Sequence, residues 1–156
     1  MRVLQFTMLL GLMLGAGFGN AQTFKVRVLN ALNGQPYLGV AVTYHCEGQG
    51  WDPSKRVLTG SNGDADINYS CEPDTRIKID LWTSSPNSPW DGKIEECGDL
   101  EPQSIKQILE IGVISNPTAD GGIWCPAKIS KTLRPVPGQV IIFVKKPTWW
   151  QRNIAP

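Results

Sequence analysis

The chain is short of the residues that most enzymes and metal proteins depend on. It has one histidine, His45, and no Cys-x-x-Cys or Cys-x-x-His pair among its four cysteines, Cys46, Cys71, Cys97 and Cys125. Zinc sites need several imidazoles or closely spaced thiolates, so no metal and no cofactor is expected. No Gly-x-Ser-x-Gly elbow occurs, and a Ser-His-Asp triad would have to be built on His45 alone. The strand phase described below turns His45 outward beside Thr43, so no catalytic residue is assigned. An excess of charge is also missing, at 15 basic against 14 acidic side chains. Nucleic-acid binders neutralise phosphates with a basic stripe. Here the basic residues form isolated pairs such as Lys145-Lys146, and no nucleic-acid partner is expected. Beyond the first 21 residues there is no apolar run of the roughly 20 residues that a membrane-spanning helix requires.

What is present begins at the N-terminus. Arg2 precedes an apolar run from Met8 to Phe18 and the small-residue stretch Gly19-Asn20-Ala21, the pattern of a secretory signal peptide. Cleavage is expected after Ala21. Residues 1–21 are then the leader and residues 22–156 one mature domain. No cysteine directly follows the apolar run, so no membrane anchor is expected after cleavage, and the domain should be secreted or periplasmic. The leader removes Arg2 and no acidic residue, which leaves the mature chain balanced. An even number of cysteines in an oxidising compartment reads as disulfides.

Period-two alternation is clear along the first half. Phe24, Val26 and Val28 alternate with Lys25, Arg27 and Leu29, as a half-buried strand requires. Asn33-Gly34-Gln35-Pro36 turns the chain. Over 38–46, Leu38, Val40, Val42, Tyr44 and Cys46 share the inward face, and Gly39, Ala41, Thr43 and His45 the outward one. A short strand at 56–59 leads into Gly60-Ser61-Asn62-Gly63, whose Asn-Gly marks a tight turn. Ala65, Ile67, Tyr69 and Cys71 then face inward, as do Ile77, Ile79 and Leu81 over 75–82. Four cysteines allow three pairings. Strands running up, down and up bring Cys46 and Cys71 to one end with both side chains inward, which favours Cys46–Cys71 and leaves Cys97–Cys125.

Residues 83–98, rich in Ser, Pro, Asn and Gly, read as irregular. Pro102, a Ser104–Gln107 capping box, the apolar set Ile105, Ile108 and Leu109, and Gly112 as terminator describe one short helix near 102–111. It should pack one face on the sheets. Residues 116–126 read as a loop. The last strand, 139–144, is apolar on both faces and should be central or covered by the helix. The expected class is mainly β: an antiparallel, immunoglobulin- or transthyretin-like sandwich with one short helix.

The segment with Asn33-Gly34-Gln35-Pro36, then Leu38-Gly39-Val40-Ala41-Val42 and Thr59-Gly60-Ser61-Asn62-Gly63-Asp64-Ala65, resembles the carboxypeptidase regulatory-like domain of the transthyretin-like superfamily. The region from Ile105 to Gly112, with Cys125 and the run Pro137 to Val144 followed by Thr148-Trp149-Trp150, is similar to the C-terminal extension of small secreted bacterial members. The resemblance implies a seven-stranded, non-catalytic sandwich serving in adhesion, interaction or as an accessory. It assigns no ligand. A related sandwich family hydrolyses 5-hydroxyisourate with several histidines and a C-terminal Tyr-Arg-Gly-Ser, and this chain has neither.

Two further groups carry expectations. Asn62, Asp64 and Asp66 alternate as calcium ligands can, but without the EF-hand spacing, and a turn with a solvated strand face explains them equally. Six tryptophans are a heavy load. Trp51, Trp82 and Trp90 fall on loops or an outward strand position, where indoles stack on sugars or anchor a protein, or else cover sheet edges. Trp149 and Trp150 are expected to form a C-terminal clamp. The sequence thus points to a non-catalytic binding or structural module whose partner is an envelope protein or a glycan. The alternative is a carbohydrate-binding module using Trp51, Trp82 and Trp90.

Overall fold

Alternation of Phe24, Val26 and Val28 with Lys25 and Arg27 produces β1 (Gln22–Asn30), with the three apolar side chains buried in the main core. The computed structural model describes residues 22–50, 52, 55–82, 94–97, 100–115 and 131–146. The remaining elements are β2 (Ala41–Cys46), β3 (Arg56–Leu58), β4 (Asp64–Tyr69), β5 (Arg76–Trp82), β6 (Glu95–Glu96), β7 (Gln103–Ser104), α1 (Ile105–Glu110), β8 (Val113–Ile114) and β9 (Gln139–Lys145). One sheet runs β4-β1-β9-β6, with β8 also on β9, and the other runs β3-β2-β5-β7. Their apolar faces pack together through Val26, Ile67, Val140 and Ile142 on one side and Val42, Tyr44, Ile77 and Ile79 on the other. The expected β-sandwich with one short helix is the observed fold. Each of these aliphatic side chains contributes about 1.5–3 kcal/mol on burial.

The strand phases hold in β1, β4 and β5 and fail at one end of β2. Leu38, expected inward, is 56% exposed. Gly39 N–H donates to Thr59 O at 2.7 Å, which bends the chain before Val40, so the alternation starts only there. Ala41 and Thr43, on the outward face, are nevertheless buried. Ala41 lies between Trp82 and Leu58, and Thr43 between Asp80 and Arg56, so small side chains on the middle strand are covered by long ones on either side.

Not all pairing is antiparallel. β9 runs parallel to β1, and β8 runs parallel to β9, an arrangement open to strands that return after a long connection. All seven residues of β9 are buried. Val140, Ile142 and Val144 join the main core with Ile105 and Ile108 of the helix. The helix does not cover the opposite face. Ile141 and Phe143 cluster there with Leu29, Ala31 and Cys97, with Ile114 and Leu133 against them, so this face of the sheet carries a small apolar cluster of its own. The stretch 83–98, expected to be irregular, ends in order: Ile94 and Cys97 are buried and β6 pairs with β9.

Ser104 takes the N-cap position but makes no side-chain cap bond, so the capping box does not form. Its work is done by tertiary contacts. Ile105 N–H donates to Thr75 O at 3.2 Å and Lys106 N–H to Pro73 O at 3.3 Å, and these satisfy donors that a cap would otherwise serve. Gly112 ends the helix as expected, with φ of 85° and its N–H on Gln107 O.

The Cys46–Cys71 disulfide is present, with Cα atoms 6.2 Å apart. It ties the end of β2 to the chain just past β4 and so joins the two sheets. Cys97 is also disulfide-bonded, whereas Cys125 lies outside the described residues. The expected leader 1–21, the expected loop 116–126, and Trp149 and Trp150 also lie outside them.

Candidate functional site

The site can be built from the two flanks where the sheets approach each other and from the two outer faces. On the flank where β3 meets β4, Tyr44 hydroxyl donates to Asn68 O, and Tyr69 hydroxyl donates to Gln22 Oε1 at 2.6 Å. Burial pushes the Tyr44 phenol above its ordinary pKa, with Asp52 adding to the effect. Burial alone does the same to Tyr69. Beside Cys46 this leaves a small cavity of about 160 Å³.

The outer face of β1 and β4 carries a charge ladder. Register places Lys25 opposite Asp66 and Arg27 opposite Asp64, the cross-strand arrangement in which opposite charges attract. Arg27 grips Asp64 with Nε at 2.6 Å and Nη2 at 3.0 Å, while Lys25 Nζ lies 2.7 Å from Asp66. The hydrogen bond to Asp66 holds the Lys25 ammonium above its ordinary pKa, and Asp64 acts likewise on the Arg27 guanidinium. Asn62 Nδ2 also donates to Asp64 at 3.0 Å. The residues a calcium loop would need therefore face Arg27 and Lys25 rather than a common point. Among the described residues no three His, Cys, Asp or Glu side chains are grouped to hold a metal.

On the outer face of the second sheet, Trp82 closes β5 opposite Ala41 and is half-buried. Thr43 hydroxyl donates to Asp80 O at 3.2 Å. His45 is opposite Lys78, and its buried Nδ1 has no hydrogen-bond partner. Trp51 and Trp90 lie outside the described residues; of the three tryptophans Trp82 alone is described.

Two larger depressions remain. One, of about 330 Å³, is lined by Leu32, Pro36, Tyr37, Leu38 and Lys146 at the β1–β2 connection. The other, of about 500 Å³, lies where β5 of one sheet faces Glu96 of the other. It also takes in Lys78, Asp80, Glu101 and Pro102. Sequence reasoning missed this cleft because Pro102 was read only as the approach to a helix. Thr59 was missed as well: buried, it donates to Tyr37 O at 2.7 Å and accepts Val40 N–H at 2.9 Å, and nothing in its spacing announces this.

No family model, curated protein or solved structure matches this chain.

Proposed function

We propose that the chain is a secreted, non-catalytic β-sandwich module, related to carboxypeptidase regulatory-like domains, that binds a protein of the cell envelope or extracellular space. The observation that carries the reading is the Cys46–Cys71 bond between the two sheets. A disulfide of this kind belongs to an oxidising compartment, in keeping with the leader expected at 1–21. Among the described residues no helix is long and apolar enough to cross a membrane. Two polar surfaces, the charge ladder and the acidic cleft, offer a protein partner more contact than the half-buried Trp82 alone offers a sugar.

The test has two stages. Expression of the full chain followed by mass spectrometry should return a mature form starting at Gln22 with Cys46 and Cys71 joined. The oxidised mature chain, immobilised, should then retain a specific envelope protein that the Trp82→Ala variant still retains. An unprocessed chain, or retention of nothing, would overturn the reading. Retention of a glycan lost with Trp82→Ala, with sugar-dependent quenching of indole fluorescence, would replace it by the carbohydrate-binding one.

A further inference from the structure

Strand β5 outruns its neighbour. β2 pairs with it from Ile77 to Trp82, but β7 pairs only with Arg76 and Ile77. Next in line after Gln103 comes Pro102, whose carbonyl accepts Arg76 Nε at 2.9 Å. The direction of the exposed backbone groups follows from one bond. Glu47 N–H donates to Arg76 O at 2.8 Å, and hydrogen-bonded pairs alternate along an antiparallel ladder. Arg76, Lys78, Asp80 and Trp82 therefore turn their backbone groups toward β2, whereas Ile77, Ile79 and Leu81 turn theirs toward the opposite edge. Ile77 there meets Gln103. Ile79 and Leu81 meet no strand among the described residues.

That edge opens into the cleft of about 500 Å³, with Glu96 and Glu101 on its walls. Asp80 is a third carboxylate and Lys78, 3.4 Å from it, the one lysine among the described lining residues. The cleft thus combines main-chain groups that meet no strand among the described residues with three carboxylates against one lysine, and a complementary occupant is extended and cationic.

We propose that the β5 edge from Ile79 to Leu81 receives an extended, lysine- or arginine-bearing segment of a partner protein as an added strand. The proposal rests on the binding-module reading and specifies its partner. Main-chain bonds to Ile79 and Leu81 supply the register, and the acidic lining, with the exposed Glu101 at its edge, selects for positive charge.

The test uses the oxidised mature chain and a synthetic peptide of about ten residues alternating threonine and lysine. In the free chain the amides of Ile79 and Leu81 should exchange with deuterium about tenfold or more faster than those of Lys78 and Asp80, which face β2. The peptide should slow those two amides by about tenfold. A version with glutamate for lysine, and one N-methylated throughout, should not. Glu101→Lys, at an exposed position, should weaken binding by about fivefold while leaving the melting temperature unchanged. Equal protection of all four amides in the free chain would overturn the proposal, since the edge would already be covered by the chain itself or by a second copy. Equal binding of the N-methylated peptide would overturn it too. An envelope partner whose retention is indifferent to Glu101→Lys would remove this proposal and leave the binding-module reading standing.

Discussion

The two flanks of the sandwich are finished by different means. Where β3 approaches β4, the sheets are joined covalently by Cys46–Cys71 and by the Tyr44 hydroxyl on Asn68, leaving only about 160 Å³ of cavity. Where β5 approaches β6, β7 is two residues long and a cleft of about 500 Å³ remains. The first flank is built from residues whose strand phase points them at one another. The second is built from strands too short to cover the edge they meet. The covalent support and the proposed binding edge thus lie on opposite sides of one core, in line with binding elements being drawn from the least supported parts of a fold.

The sharpest way to disturb the helix side is Gly112→Ala. Gly112 has φ of 85°, and a Cβ there would overlap the Val136 backbone. Left-handed strain and overpacking together should remove roughly 2–6 kcal/mol, read as a lower denaturant midpoint or loss of the folded form. On the opposite flank, replacing Cys46 and Cys71 together by alanine opens a loop of 25-residue separation and should cost about 3 kcal/mol. Urea unfolding with and without reductant measures it, and an unchanged midpoint would show that the disulfide does not hold this flank.

Thr59→Val is next in size. It preserves shape but strands Tyr37 O and Val40 N–H, now served by the buried hydroxyl, and should cost about 2 kcal/mol. The smallest effect is alkaline. Tyr44, Tyr69 and Lys25 have pKa values raised in the folded chain. Their contribution is therefore complete below the unfolded values near 10 and lost as pH rises through the folded ones. Urea midpoints should fall between about pH 8 and about pH 11, where tyrosines begin to ionise. Asp66→Asn should remove the Lys25 share, under about 1 kcal/mol for so exposed a pair.

The legible parts of the fold were those set by neighbouring residues. Alternation placed Val26, Ile67, Ile77 and Ile79 in the core and Trp82 outside it, and it turned Cys46 and Cys71 inward. Gly112 marked the helix end. The illegible parts needed a distant partner. β6, β7 and β8 have two residues each, too few for any period, and exist because β5 and β9 offer edges. Ser104 has the right type for a cap, yet Thr75 and Pro73 supply the carbonyls. Leu38 fits the alternation, yet the bond from Gly39 to Thr59 bends the strand before reaching it.

By itself the sequence determined a mainly β chain, which faces of its long strands are buried, and which two cysteines point at each other, because side chains alternate with the local geometry of an extended backbone. Only the tertiary structure decided that β9 lies parallel to β1, that Ile141 and Phe143 join a small apolar cluster of their own, and that β5 extends past β7 into an acidic cleft. Strand neighbours and edge lengths are fixed by closure of the whole core, in which each edge is satisfied by residues remote in the chain.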